Sequence, residues 1–504
     1  MRPIEVRETH VGAVFLIGDR AYKLKKPVDV GFLDFRGRES RLAACRKEVR
    51  LNRRLAPDVY LGIADVSGVD GRPADHLVVM RRMPDDRRLS TLVGAGVPVR
   101  DEIVRLARLI AAFHATARRG PEISVEGTRD ALRARWTASF AQVDEVRGEV
   151  LEDATVTEIQ LSTLDFLAGR APLFDDRVAA GRIVDGHGDL LADDIFCLGD
   201  GPRVLDCLEF DDRLRYLDGL DDIAFLAMDL DRLGAPDLGT LLLDRYAEFS
   251  GDPAPAALRE HYLAYRAFVR VKVACLRHAQ GDPAAAAQAR TYAAITVRHL
   301  RKGQVRLVVV GGLPGTGKTT LAGCLADELG AALLSSDRVR KELAGRTPTD
   351  PAPAPYLNGI YTPAHTERVY RELLHRAEEL LARGESVVLD ASWTAAGHRD
   401  AARAVAGRSR SRLVELRCEA PAEVTAARLL GRTGSISDAV PAVAAAMVMD
   451  PWPEATVVAT AGSPAAALRA VGPLVGAAEG TGALPPGRDP ALAERGGPTN
   501  ARRL

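Results

Sequence analysis

Apolar and polar positions change their spacing several times along the chain. Short apolar runs at 14–17 and 21–25, separated by a turn pair, predict two strands of a hairpin. Between 101 and 118, apolar residues recur every three or four positions, which predicts an amphipathic helix. We therefore expect a strand-rich lobe at about 1–88 and a mainly helical lobe at about 89–300.

A different pattern begins after residue 303, where apolar runs alternate regularly with amphipathic segments. The pattern predicts helices at 318–329 and 364–383, and strands at 305–310, 331–334, 386–389, 413–416 and 456–458. Strands that alternate with helices form parallel sheets, so 304–475 is expected to be an α/β domain. Residues 477–504 are rich in Gly, Pro and Ala without an apolar period, which predicts a disordered tail.

Composition narrows the class of protein. The chain has 504 residues, and its 68 Lys and Arg balance 68 Asp and Glu, which argues against a protein that coats nucleic acid or an anionic membrane. The sequence shows neither a secretory segment nor an apolar stretch of membrane-spanning length, and its six cysteines lack the spacing of a disulfide framework or zinc site. We expect a cytoplasmic protein without a membrane or nucleic-acid partner. These observations give no oligomeric state.

The strongest motif follows the first strand of the second domain and fits G-x-x-x-x-G-K-[ST] throughout. It reads Gly312-Leu313-Pro314-Gly315-Thr316-Gly317-Lys318-Thr319. Glycines let backbone N–H groups approach phosphate oxygens, and the following helix N-terminus favours negative charge. We expect Gly312, Gly315, Thr316 and Gly317 to cradle a nucleotide, Lys318 to reach its terminal phosphates and Thr319 to hold Mg²⁺.

Two acids follow strands of the same domain. Asp390 ends the third strand and is the expected Mg²⁺ partner of the phosphate loop, whereas Asp337 follows the second strand and could accept a proton from an acceptor hydroxyl. Arg340, three residues on, could bind phosphate or the acceptor. Either acid could instead cap a helix.

The phosphate loop, the S-S-D-R-V-R-K-E-L segment and the V-V-L-D strand resemble small P-loop kinases related to zeta toxins and polynucleotide kinases. The resemblance implies that Asp337 and Arg340 serve the acceptor. Arg428 and Arg432 loosely match the family's arginine-bearing lid, although a solvated helix face explains them equally well. We expect acceptor contacts from the segment 351–363, which contains Tyr356 and Tyr361.

A second constellation lies in the first domain. His187-Gly188-Asp189 follows a short strand, and a hairpin centred near residue 200 should bring Asp194 and Asp206 side by side. Three neighbouring carboxylates repel one another without a cation, so a magnesium–phosphate site is expected there. His187 itself is expected to be structural.

This spacing resembles the catalytic loop and metal-binding Asp of aminoglycoside phosphotransferase-like kinases. The resemblance implies that Asp189 orients or deprotonates the acceptor hydroxyl and that Asp206 holds Mg²⁺. The family usually has Asn five residues after the catalytic Asp, where this chain has Asp194. It also implies an ATP-binding lysine, Lys25 with Lys23 as rival, and Glu48 as its partner, with an interlobe hinge near 80–83.

The whole chain resembles bacterial fusions of an aminoglycoside phosphotransferase-like domain with a P-loop, AAA-type ATP-binding domain. This implies an α+β, protein-kinase-like bilobal domain at 1–300, followed by an α/β P-loop NTPase domain with a parallel sheet. Our leading hypothesis is a two-site kinase that uses ATP and Mg²⁺ to phosphorylate hydroxyls of a small molecule. The alternative is a nucleotide-regulated binding protein with a degenerate N-terminal kinase domain and an active P-loop ATPase.

Overall fold

The computed structural model describes residues 5–8, 12–28, 34–69, 71–347, 350, 357–431 and 441–476. Tyr356, Arg432 and the predicted tail at 477–504 lie outside these residues. Within the described ranges, no helix combines the length and the apolar character that crossing a bilayer requires.

The first lobe is a twisted antiparallel sheet with one helix packed on it. Its strands and helix are β1 (Glu5–Glu8), β2 (Gly12–Ile17), β3 (Arg20–Lys25), α1 (Arg38–Asn52), β4 (Tyr60–Ser67) and β5 (Pro73–Arg81). The described strands lie in the order β1-β2-β3-β5-β4. Gly18 turns the predicted β2–β3 hairpin with a φ of 61°, a conformation that glycine adopts without strain.

A helical lobe follows the segment 82–88. The predicted hinge at 80–83 spans the end of β5 and the start of this segment. Its helices are α2 (Leu89–Gly94), α3 (Arg100–Thr116), α4 (Pro121–Ser124), α5 (Arg129–Asp144), α6 (Asp153–Ala168), α7 (Ala171–Ala179), α8 (Gly219–Arg232), α9 (Pro236–Ser250), α10 (Ala256–Ala279) and α11 (Ala284–Lys302). The predicted helix at 101–118 is α3, whose apolar stripe is buried against the rest of the lobe.

Two small strand pairs interrupt the helices and carry the predicted chemistry. They are formed by β6 (Ile183–Asp185) with β9 (Tyr216–Asp218), and by β7 (Ile195–Leu198) with β8 (Gly201–Val204). The β7–β8 hairpin is centred near residue 200, as the sequence predicted. Backbone pairing continues past it, because Leu205 N–H donates to the Asp194 carbonyl (2.9 Å).

The C-terminal domain is a five-stranded parallel sheet, within the described residues, flanked by helices. Its elements are β10 (Arg306–Gly311), α12 (Lys318–Leu329), β11 (Ala332–Ser335), α13 (Ser336–Leu343), α14 (Pro363–Ala382), β12 (Val387–Asp390), α15 (Ala396–Arg408), β13 (Arg412–Glu419), α16 (Ala422–Leu430), α17 (Pro441–Ala446), β14 (Thr456–Ala459) and α18 (Pro464–Val475). The strand order is β11-β12-β10-β13-β14. Both predicted fold classes are therefore confirmed.

A single hydrophobic core joins the helical lobe to the C-terminal domain. It includes Leu173 and Phe174 of α7 together with Leu381 of α14. At the same boundary the Arg170 guanidinium, 1% exposed, donates to the Ser409 carbonyl. The two domains therefore pack against each other through buried side chains.

Two candidate nucleotide sites

Lysines 23 and 25 project from the same face of β3 onto one buried carboxylate. Glu48 of α1 is fully buried, and its carboxylate oxygens lie 2.9 Å from Lys23 Nζ and 2.7 Å from Lys25 Nζ. Lys25 is only 4% exposed and also pairs with Glu209 (2.7 Å). Lys23, 23% exposed, instead reaches Asp206 across the cleft (2.8 Å). The structure thus brings both lysines to Glu48 and places Lys23 at the open side.

Asp206 lies where the small lobe, the hairpin and the cleft meet. Its backbone has a φ of 62°, a conformation that costs free energy in residues other than glycine and persists only where the surroundings impose it. Its N–H donates to the Tyr60 hydroxyl (3.3 Å), and the next N–H donates to Asn52 (2.8 Å). Half of the Asp206 side chain (51%) remains accessible from the cleft, and the charge of Lys23 lowers its pKa.

Asp189 and Asp194 face the same region from the large lobe. Burial raises the pKa of Asp189 to about 6, an effect that Arg270 opposes and Asp206 reinforces. Burial, followed by the charges of Asp206 and Asp189, raises the pKa of Asp194 well above its ordinary value. The predicted acids therefore lie close enough to repel one another.

The three predicted carboxylates do not form one metal site, however. Among the described residues, no three acidic, histidine or cysteine side chains converge so that they could hold one metal ion together. The Asp206 carboxylate is held toward Lys23, on the small-lobe side of the cleft. Mg²⁺ usually binds one or two carboxylates plus substrate phosphates, so Asp194 and Asp206 still fit it as a donor pair.

The loop that carries Asp189 is held from below by buried groups that the sequence did not reveal. Asp222 of α8 accepts hydrogen bonds from the N–H groups of His187 (2.7 Å) and Gly188 (2.9 Å). His114 of α3 donates to the same carboxylate (3.0 Å). Despite burial, these donors hold the pKa of Asp222 well below its usual range, whereas burial lowers the pKa of His187 to about 4. His187 is thus a neutral packing residue, as expected.

The phosphate loop is built from backbone rather than from side chains. Gly312, Gly315 and Gly317 all have positive φ, at 144°, 84° and 83°. A Cβ on Gly315 would lie 2.8 Å from the Thr425 carbonyl, and one on Gly312 would lie 2.6 Å from the Thr316 hydroxyl. Glycine is therefore required both by conformation and by space.

Lys318 and Thr319 begin α12 and face Asp390 at the end of β12. Burial raises the pKa of Asp390, while the Lys318 charge and the Thr319 hydroxyl oppose that rise. Asp390 Oδ1 is buried without a hydrogen-bond partner. A buried oxygen with an unused lone pair beside a hydroxyl is a suitable donor set for Mg²⁺.

Asp337 and Arg340, predicted to act together, differ in exposure. Asp337 is half-buried at the start of α13, near enough to influence Asp390. The Arg340 guanidinium is buried, donates to the Ile360 carbonyl (2.9 Å) and to Thr366 (3.0 Å), and lies 4.9 Å from the Tyr361 ring centre. Arg340 therefore fastens the segment before α14, which contains part of the predicted acceptor region.

The predicted lid residue Arg428 lies beside the phosphate loop. Its guanidinium donates to the Thr460 carbonyl (2.6 Å) and, at 3.4 Å, to the Gly315 carbonyl. Arg428 is therefore not a fully solvated helix-face residue, while its predicted companion Arg432 falls outside the described residues.

Known proteins resemble different parts of the chain. Residues 307–450 match the family model for an AAA domain. A choline/ethanolamine kinase family protein from Mesorhizobium loti is 16% identical, with 59% of this chain and 91% of that protein covered, at a TM-score of 0.39. A sugar kinase from Janibacter is 21% identical over 35% of this chain and 96% of that protein, at a TM-score of 0.28.

Two curated relatives match much more of the chain. They are uncharacterized proteins of Mycobacterium tuberculosis and Mycobacterium bovis, each 46% identical over 444 residues, which cover 88% of this chain and 89% of each relative. A match of this length includes the larger part of both domains. The chain therefore belongs to the same family as these mycobacterial proteins.

Proposed function

We propose that the chain is a cytoplasmic phosphotransferase with two nucleotide sites, each of which uses ATP and Mg²⁺ to phosphorylate a hydroxyl of a small molecule. The observation that carries the proposal is the position of Lys23, whose ammonium group joins Glu48 of α1 to Asp206 of the large lobe. Kinases of the protein-kinase type need such a lysine–glutamate pair and a nearby metal-binding aspartate in place at the same time.

In the N-terminal site, Lys23 is the better-placed lysine for the nucleotide phosphates, while Lys25 supports Glu48 from its enclosed side. Asp206 and Asp194 would hold Mg²⁺, which neutralises charge that develops on the phosphates. Asp189 orients the acceptor hydroxyl. The bond between the γ-phosphorus and the β–γ bridging oxygen breaks, a bond to the acceptor oxygen forms, the hydroxyl proton passes to Asp189, and ADP is released.

In the C-terminal site, the glycine-rich loop binds phosphates through backbone N–H groups and Lys318 neutralises their charge. Thr319 and Asp390 are the groups that would hold Mg²⁺. Asp337 is the candidate proton acceptor, while Arg340 keeps the acceptor-side segment attached to α13. The same bond exchange takes place here, with the acceptor proton passing to Asp337.

The test uses the full chain and two single substitutions, Lys318→Ala and Asp189→Asn. Each should abolish the phosphate transfer of its own site and spare the other, because their side chains serve different clefts. Asp200→Asn is the matched control for Asp189, since Asp200 is an exposed acid at the tip of the hairpin. ADP release with a metabolite extract as the acceptor source, and phosphorylated products by mass spectrometry, give the readout.

Two results would contradict this proposal. Loss of both activities in either variant would mean that the two sites are not independent. ATP binding without any Asp189-dependent transfer would favour the nucleotide-regulated binding protein with a degenerate N-terminal domain.

A further inference from the structure

Helix α10 approaches the loop that carries Asp189 and brings with it Arg270, a residue outside the predicted constellation. Arg266, one helical turn earlier on that helix, reaches the Gly188 carbonyl of the catalytic loop (3.4 Å). Arg270 is half-buried, and its guanidinium lies 5.9 Å from the Tyr292 ring centre. Among single charges, that of Arg270 has the largest effect on Asp189. The side chain therefore borders the space beside the proposed base.

Of the other charged groups that have the largest effects on the pKa of Asp189, three already have partners, namely Arg266, Asp229 and Asp206. Arg266 forms a two-point pair with Asp221 (2.7 and 2.9 Å), and Asp229 accepts hydrogen bonds from Arg232 (2.6 Å) and from the Ala192 N–H (3.0 Å). Asp206 is paired with Lys23. Each of these groups is therefore already paired with a side chain of opposite charge.

Arg270 differs from all of them. No ion pair within 4 Å or side-chain hydrogen bond engages its guanidinium within the described part of the chain, and its buried Nε–H has no acceptor. The charge of Arg270 lowers the pKa of Asp189 although the two side chains form no ion pair within 4 Å, so a gap separates the base from an unused planar donor. A partly buried guanidinium is most stable when a carboxylate or phosphate accepts its fork of N–H groups.

We propose that Arg270 binds an anionic group of the phosphoacceptor in the N-terminal site, so that the substrate class is an anionic polyol rather than an amine. The inference rests on the proposed function of this site. Because the base must touch the acceptor hydroxyl, an arginine beside the base faces the acceptor, whereas the nucleotide phosphates face Lys23. The anion is a carboxylate or a phosphate monoester, which share this recognition chemistry.

The test uses the full chain with Lys318→Ala, so that only the N-terminal site transfers phosphate. Four acceptors share one sugar skeleton: glucose, glucosamine, glucuronate and glucose 6-phosphate. We expect kcat/KM for one or both anions to exceed that for glucose and glucosamine at least tenfold, and the stronger anion identifies the group. A higher kcat/KM for glucosamine would overturn the proposal.

Substitution of Arg270 provides the residue-level test. Arg270→Gln should raise KM for the preferred anion at least tenfold, with kcat within about threefold and KM for ATP unchanged, and Arg270→Lys should restore part of the affinity. Arg277→Gln, an exposed residue on the same helix, is the control. An unchanged acceptor KM, a rise in KM for ATP, or a fall in kcat alone would each overturn the assignment.

A binding measurement distinguishes a failure of this inference from a failure of the proposed function. If none of the four sugars is phosphorylated, the proposed transfer to such hydroxyls is contradicted, and calorimetric titration of glucuronate and glucose 6-phosphate into the ADP–Mg²⁺-loaded protein decides the role of Arg270. Binding that weakens at least tenfold in Arg270→Gln supports the assignment. Absent or unchanged binding overturns it.

Discussion

The two candidate sites are assembled in opposite ways. The N-terminal site depends on charged side chains that are far apart in sequence, since Lys23 and Asp206 are 183 residues apart. The C-terminal phosphate loop occupies eight consecutive residues, and its glycines present backbone to the ligand. The first site therefore exists only when both lobes are in position, whereas the second is built into one strand–helix connection.

This difference predicts different responses to substitution. A site made of ion pairs loses charge balance when one partner is removed, and buried partners then lose stability as well. A site made of backbone tolerates changes at its outward side chains but not an added methyl group. The predictions below test this contrast, beginning with the largest expected effect.

Lys23 and Lys25 should separate catalysis from stability. Lys23→Met should reduce N-terminal phosphate transfer about 10²–10³-fold, because it removes a preorganised charge from the cleft while Glu48 keeps Lys25. Lys25→Met should destabilise the fold by about 3–5 kcal/mol, because it leaves buried carboxylates short of a cation. Urea unfolding and single-turnover kinetics measure the two effects. The assignment of Lys23 fails if Lys25→Met folds normally and loses transfer instead.

Gly315→Ala should weaken ADP binding to the C-terminal site about a hundredfold. Alanine at this position would have to adopt the left-handed backbone that glycine adopts here, which costs about 1–2 kcal/mol. Its methyl group would also press against the Thr425 carbonyl. Gly323→Ala is the matched control, since Gly323 of α12 has open space around it. Calorimetry in an Asp206→Ala background isolates this site. Equal affinities for the two variants would show that the cradle is not made of backbone.

Gly169→Ala should destabilise both domains together. A Cβ at this position would overlap the Ser409 carbonyl at the domain boundary, and overpacking of this kind costs about 1–3 kcal/mol. We expect thermal unfolding to remain a single transition at a lower Tm. Gly407→Ala is the control, because nothing lies within 4 Å of that position. Two separate transitions in the variant would show that the domains are stabilised independently.

The smallest predicted effect is a pH-dependent change in stability. It involves His299 of α11, the helix that leads into the C-terminal domain. Burial alone would lower the pKa of His299, but hydrogen bonds with Asp231 (3.0 Å) and Glu260 (2.6 Å) raise it above 6.5. Arg298 and Lys302 also pair with these acids. Since the folded-state pKa is the higher one, this stabilisation is complete below about pH 6.5 and is lost as pH rises through that pKa.

His299→Gln should therefore remove about 1 kcal/mol of unfolding free energy at pH 6 and much less at pH 9. Urea unfolding at the two pH values measures the difference. A variant whose deficit is the same at both values would show that the His299 charge does not contribute.

The sequence anticipated what short-range patterns determine. Predicted strands and helices such as α12 and the β7–β8 hairpin were confirmed within a few residues, because apolar period and turn residues act locally. The glycine cradle was also readable, since its spacing is contiguous. The long strand β4 (Tyr60–Ser67) was missed, because among the described strands it pairs with β5 alone and its outer positions are polar or exposed.

The sequence could not reveal which residues of distant elements pair with one another. Glu209 pairs with Lys25 and Asp222 holds the loop that carries Asp189, yet each is one acid among many in an acidic stretch. The way α1 packs on the sheet decides that Lys25 is more deeply buried than Lys23. Arg270 is one of several basic residues on α10, and only the fold shows which of them lack partners.

The shared core has a consequence for the history of this gene. Two domains joined only by a linker could be separated again, and each could change under its own selection. Here an apolar residue such as Leu173 lies against the other domain, so a change on one side alters which changes are acceptable on the other. Loss of function in either domain would still leave that domain under selection as a folding partner for the other.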